Sequence, residues 1–139
     1  MEFSAAARAF VERSRVGRLA TTGAHGTPHV VPVCFVLVGG CVYSVVDEKP
    51  KRTTRLQRLR NIEARPHAAL VIDRYDEDWS RLAWVMLRGP ASVLEGGDEH
   101  AAALDALRAK YAQYREMELA GRPMIRLEPE RVNEWGLDA

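Results

Sequence analysis

The chain opens with a helical pattern. Ser4 is placed to cap a segment running to about residue 14, in which alanines raise helix propensity and Phe10 and Val11 supply part of an apolar face. From residue 16 the period changes. Residues 16–22 (VGRLATT), 28–38 (PHVVPVCFVLV) and 41–46 are rich in β-branched and apolar side chains, with turn residues at 23–26 and at Gly39-Gly40, which predicts an antiparallel meander. If Gly39-Gly40 is a two-residue hairpin turn, Cys34 lies across from Val45 and Cys41 across from Val38. Pro32 cannot donate a ladder hydrogen bond, so its place is an edge, a bulge, or a point where something other than a strand meets the backbone.

Beyond residue 55 helix and strand alternate. Leu56, Leu59 and Ile62 recur at three-residue spacing, predicting a short helix whose opposite side carries Arg58 and Arg60 as solvated charge; Thr54 and Gln57 have capping-box spacing and start it near Arg55. Residues 67–73 (HAALVID) and 81–94 (RLAWVMLRGPASVL) read as strands, the second bent or interrupted at Gly89-Pro90. A helix from Asp98 to about Tyr114 presents Leu104, Leu107, Tyr111 and Tyr114 on one face, and residues 124–135 form a last strand. Six strands with short links exclude a doubly wound parallel sheet, which needs a helix in nearly every crossover. The expected architecture is mainly β within the α+β class: a six-stranded antiparallel barrel with peripheral helices, built as one domain over residues 1–139.

Composition removes several function classes. With 47% hydrophobic residues and no low-complexity tract, the chain is globular. Its apolar stretch from 30 to 46 is broken by Pro32, Gly39 and Gly40, which argues against a membrane span, and the absence of a basic leader with an apolar block places the protein in the cytoplasm. Two cysteines that cannot meet, with no histidine cluster, predict free thiols and no metal. A net charge of +1 gives no footprint for nucleic acid.

The charge is nevertheless uneven. Lys49, Lys51, Arg52, Arg55, Arg58, Arg60 and Arg65 stand against Glu63 alone within residues 49–65. Just before the predicted helix, 49–55 (KPKRTTR) combines cations with hydroxyls and backbone amides, the donor set a phosphate requires. The same run also fits an ordinary solvated helix face. His25 and His29, flanking the Gly26-Thr27-Pro28 turn, read as exposed turn side chains.

The order of these parts resembles the pyridoxamine 5′-phosphate oxidase-like superfamily. The resemblance is carried by GRLATTGAHGTPHVVPV at the front, VYSVVDEKPKRTTRLQRLRNIEARPHAALVID in the middle and DWSRLAWVMLRGPASVL after it. It is nearest to the branch that uses the deazaflavin coenzyme F420. The resemblance implies an FMN-binding type of split β-barrel, with the cofactor phosphate held by Lys51, Arg52 and Thr53 and with Arg55 or Lys49 as further candidates. It also implies a cofactor ring lying against Val31, Pro32 and Val33 and against the strand at Ser44. A homodimer with cofactor in the subunit cleft would bring Trp79, Arg81, Trp84 and Trp135 from the partner side.

The implied activity is hydride transfer from reduced F420 to a small conjugated acceptor, with FMN as the nearest alternative cofactor. Such chemistry needs no protein nucleophile, because the cofactor supplies the hydride and the protein supplies binding and orientation. A tyrosine, Tyr43 for example, or water would protonate the product. A short chain without an extended N-terminal arm argues against vitamin B6 oxidation. A non-catalytic carrier of a cofactor or a tetrapyrrole is the reading from a different class.

Overall fold

A computed structural model describes residues 3–47 and 56–137. Its elements follow in the order α1 (Ala5–Arg13), β1 (Gly17–Thr22), β2 (Pro28–Val33), β3 (Val36–Val38), β4 (Cys41–Val45), α2 (Gln57–Ala64), β5 (His67–Arg74), β6 (Ala83–Leu94), α3 (Asp98–Lys110), β7 (Met124–Leu127) and β8 (Arg131–Trp135). The fold is α+β with mainly antiparallel sheet, as expected. The strand count is eight rather than six, and the sheet is open: its path is β2-β1-β5-β6-β7-β4-β3, with β8 paired to β6.

Both extra strands arise where one β-rich segment changes partner. Residues 28–38 look continuous in sequence, but β2 pairs with β1 (Gly17 opposite Val33) while β3 pairs with β4 (Val36 opposite Tyr43). These strands are the two ends of the sheet path, so the chain passes from one edge to the other through Cys34 and Phe35. Phe35 loses its ladder there. The Tyr111 hydroxyl stands in: it accepts the Phe35 N–H at 3.1 Å and lies 3.0 Å from the Phe35 carbonyl and 2.8 Å from the Arg15 carbonyl. The expected Val38–Cys41 pairing is present, but the register stops at Val36, so Cys34 does not pair with Val45. Both thiols are free.

The terminal segment divides for a related reason. β7 pairs with the second half of β6 and with β4, whereas β8 pairs with the first half of β6. Pro129, which has no amide proton, lies in the link between them. The Glu128 N–H reaches the Pro90 carbonyl (2.9 Å) and the Glu130 N–H the Arg88 carbonyl (2.8 Å), so the link crosses directly over Gly89. A Cβ on Gly89 would fall 2.0 Å from the Glu128 carbonyl oxygen. Gly89 therefore permits a close crossing, and β6 runs through Gly89-Pro90 unbroken for 12 residues.

The Ser4 hydroxyl caps α1 by accepting the Ala7 N–H at 3.0 Å. α2 departs from its expected start. Its N-cap is Leu56, with no side-chain cap bond, and Thr54 of the anticipated capping box lies outside the described residues. Gln57 donates instead to Asn61 Oδ1 (2.6 Å), and buried Asn61 donates to Thr21 Oγ1 at 3.0 Å, fixing α2 to β1. The helix predicted to reach Tyr114 stops at Lys110 and is followed by a 3-10 turn over Ala112–Glu116.

Two apolar clusters hold these parts together. One fills the barrel interior and the undersides of α1 and α2, centred on Phe35, Leu70, Ile72, Val85 and Leu87; the other packs α3 and its following turn on β3, β4 and β7 through Leu104, Leu107, Tyr114, Leu119 and Met124. The barrel interior is closed. The space among Leu19, Val33, Phe35, Leu70 and Leu127 is about 10 Å³, too small for a ligand. No described helix is long and apolar enough to cross a membrane.

Candidate functional site

The open seam between the sheet edges creates the recess of interest. β2 is an edge strand, which is where Pro32 can stand without leaving a ladder hydrogen bond unmade. β4 approaches from the other end of the sheet path, and α2 flanks the gap. Val16, Pro32, Val33, Cys34, Ser44, Val45, Asp47 and Arg58 enclose about 140 Å³.

Three of the residues implicated by sequence meet here: Pro32, Val33 and Ser44. Val33 and Ser44 are buried, and Pro32 is exposed at the rim. Val31 is not part of the lining; it pairs with Leu19 and packs against the core. Lys51, Arg52, Thr53 and Arg55, together with Lys49, lie outside the described residues.

Sequence reasoning missed Arg58. It was assigned to the solvated side of α2, yet it is only 7% exposed and lines the recess. Arg60 does remain exposed, where it donates to Gln57. A signal was available in the spacing: Arg58 and Ile62 are four residues apart, hence on one helix face, and Ile62 is core. A buried guanidinium beside a recess attracts anionic or electron-rich groups, since water screens it poorly there.

Asp47 and Cys34 join the recess to a second hollow of about 400 Å³, walled also by Tyr111, Gln113, Tyr114 and Met117. The Tyr114 hydroxyl donates to Asp47 Oδ2 at 2.5 Å, which fixes the carboxylate between the two spaces. Burial first, and then the carboxylate that holds its proton, push the Tyr114 phenol well above the ordinary tyrosine range. Tyr43, one possible proton source, lies elsewhere. Its hydroxyl donates to Glu99 Oε2 (2.5 Å) on the α3 side, and burial followed by Glu99 pushes its pKa up to about 12. His29 is not a turn residue: it sits within β2 opposite Thr21, partly buried.

An open antiparallel sheet folded on itself, with helices outside and a recess at the seam, defines a split β-barrel. The chain belongs to the pyridoxamine 5′-phosphate oxidase family, whose sequence profile matches residues 3–136. Among characterised relatives it is similar to the 5a,11a-dehydrotetracycline/5a,11a-dehydrooxytetracycline reductase of Streptomyces rimosus subsp. rimosus, with 29% identity over an alignment of 140 positions that covers 99% of this chain and 86% of that protein. Among solved structures, a conserved hypothetical protein of Mycobacterium tuberculosis superposes with TM-score 0.77 at 22% identity, covering 97% of this chain and 86% of that one. A heme binding protein of Mycobacterium smegmatis superposes with TM-score 0.75 at 28% identity, covering 99% of this chain and 58% of that one.

Proposed function

We propose that the protein is a reductase that binds coenzyme F420 at the seam and passes its hydride to a small conjugated acceptor, with FMN as the alternative cofactor. The observation that carries this reading is the recess itself, where Pro32, Val33 and Ser44 converge with the buried guanidinium of Arg58. The chemistry of the lining fits the group. Apolar Val16, Val33 and Val45 offer surface to a flat ring, Ser44 a hydroxyl, and Arg58 a cation for its polar edge or phosphate. α2 begins just after the 49–55 segment with Leu56, which offers no side-chain cap, so its N-terminal dipole favours an anion there. On this reading Lys51, Arg52 and Thr53, with Arg55, bind the cofactor phosphate. When bound, the reduced cofactor supplies the hydride.

The residues of this chain do the remaining work. The valines exclude water from the ring, Ser44 and Arg58 orient it, and the hollow beside Asp47 and Tyr114 receives the acceptor. The reading extends to a homodimer, with the exposed Trp79 and Trp135 facing a second copy. The similarity to a reductase supports the enzyme, while the similarity to a heme binding protein supports a second reading, a non-catalytic tetrapyrrole carrier on the same barrel.

Titration of the purified protein with F420, FMN and hemin separates these readings. The expected result is an F420 complex in the micromolar range or tighter, together with oxidation of reduced F420 by at least one enone or quinone. Exclusive binding of FMN would exchange the cofactor. Exclusive binding of hemin, with no turnover of either reduced cofactor, would favour the carrier. Replacing Lys51 and Arg52 together with Ala should weaken cofactor binding, each charge-assisted phosphate contact being worth about 1.5–3 kcal/mol.

A further inference from the structure

A second recess lies beside the first and shares Val16 with it. Phe10, Arg13, Ser14, Arg15, Val16, Arg18, Asp73, Arg74 and Tyr75 border an open space of about 470 Å³. Four arginines face one carboxylate, so the recess carries a surplus of three positive charges in a chain whose total is only +1. The stretch 12–18 (ERSRVGR) carries Arg13, Arg15 and Arg18, and the fold adds Arg74. Arg13 comes from the end of α1, Arg15 from the following link, Arg18 from β1 and Arg74 from the end of β5; the topology gathers them by placing β1 against β5.

The guanidinium groups are oriented by neighbours, although Arg13, Arg15 and Arg18 remain exposed. Arg13 and Arg74 both stack on the Phe10 ring, at 5.3 and 5.7 Å from its centroid, which brings two like charges to one aromatic surface. Arg74 Nε donates to the Arg81 carbonyl at 2.7 Å, and Arg15 donates to the Lys110 carbonyl while its guanidinium lies over Tyr111 at 5.6 Å. Among the described residues Arg18 is ion-paired with Asp73 at 2.8 Å, and Arg74 lies within electrostatic reach of Asp76. Carbonyls and rings orient a guanidinium but do not neutralise it, so an anion entering the recess gains from the surplus positive charge, to the extent that water and salt leave it unscreened. Each still has N–H groups beyond those engaged, in the planar fork suited to carboxylate and phosphate oxygens.

We propose that this recess is an anion-binding site for a small molecule carrying several carboxylate or phosphate groups. The site stands independently of what occupies the neighbouring seam. Its ligand is either a free polyanion or the anionic arm of a molecule seated at Pro32 and Ser44, which reaches the arginines across the shared wall at Val16.

Isothermal titration with tripolyphosphate and with citrate tests the site on the full-length protein. The expected result is binding that weakens as salt is raised, and that falls about tenfold or more in the double variant Arg13→Gln, Arg74→Gln. Circular dichroism checks that the variant is folded. The companion double variant Arg13→Lys, Arg74→Lys retains the charge and should keep most of the affinity. Because the 49–55 segment would itself take phosphate on the reading above, the same titrations are made in a Lys51→Ala, Arg52→Ala background, where binding should persist and still fall with Arg13→Gln, Arg74→Gln. Equal affinity in the parent and the glutamine variant, absence of binding at low salt, or loss caused by the Lys51 and Arg52 pair alone would each overturn the proposal. Repeating the titration with saturating F420 identifies the source of the anion, and both results support the site: displacement points to an arm of the seam ligand, and simultaneous binding to a free polyanion.

Discussion

The two neighbours Tyr43 and Ser44 sit side by side on β4 and meet opposite surroundings. Tyr43 faces α3, where Glu99 accepts its hydroxyl proton and also pairs with Arg126 at 2.6 Å, while Leu104, Leu107 and Met124 fill the remaining space. Ser44 borders the recess at the seam, with buried Arg58 nearby and open volume in front of it. One side of the strand is filled by packing, and the other borders open volume. Such open volume is costly to a fold, and its position at the sheet edge marks where a ligand would complete the structure.

The comparison is broken most forcefully from the packed side. Leu107→Ala removes a side chain with 0% exposure and should cost about 2–5 kcal/mol in denaturant unfolding, with cofactor affinity unchanged at temperatures where the variant is folded. A loss of affinity as large as the loss of stability would show that the two sides are one unit. Next in size, Tyr43→Phe removes the bond to Glu99 and should cost about 1 kcal/mol, less than the usual ~1.5–3 kcal/mol for a bond to a charged group because Glu99 is reached by water. Turnover should be unaffected, since Tyr43 does not border the recess. A fall in kcat with a displaced pH profile would restore Tyr43 as the proton source.

The last effect, of similar size, concerns Lys110, whose ammonium lies 4.0 Å from the Phe35 ring centroid beneath the seam. Burial, reinforced by Arg15, pushes its pKa down from 10.5 to about 8. The unfolded chain therefore holds this proton more tightly, and the residue's contribution to stability rises as pH climbs from about 8 to 10.5. Lys110→Met should be more stable than the parent at neutral pH, by about 1 kcal/mol, since the amine nitrogen is buried without a hydrogen-bond partner among the described residues, and melting curves should show the gap closing toward pH 10. A gap that does not change with pH would remove burial of the amine as its cause.

Much of this fold was legible in sequence because local chemistry decided it. Ser4 caps α1, Gly39-Gly40 sets the β3–β4 register, and the order of helices and strands follows hydrophobic period. The split of residues 28–38 was not legible, because a β pattern reports extended backbone and not a change of partner; only the Tyr111 hydroxyl, 76 residues away, makes the break at Phe35 tolerable. The site divides in the same way. Pro32, Val33 and Ser44 followed from resemblance and do converge, Val31 turned toward the core, and Arg58 escaped because a cation on a polar helix face is ordinarily solvated. The arginine recess was only partly legible: Arg13, Arg15 and Arg18 lie close together in sequence, but Arg74 joins them only through the pairing of β1 with β5.

The central claim is that the cofactor lies in the seam between Pro32 and Ser44, and fluorescence titration of F420 against Ser44→Val addresses it most directly. The substitution deletes the hydroxyl and fills part of a space of about 140 Å³ without adding charge. With thermal unfolding confirming a folded variant, the account predicts an affinity at least about tenfold weaker than that of the parent, equivalent to one lost hydrogen bond and a steric penalty. Unchanged affinity in a folded Ser44→Val protein would contradict it and move the cofactor away from the seam.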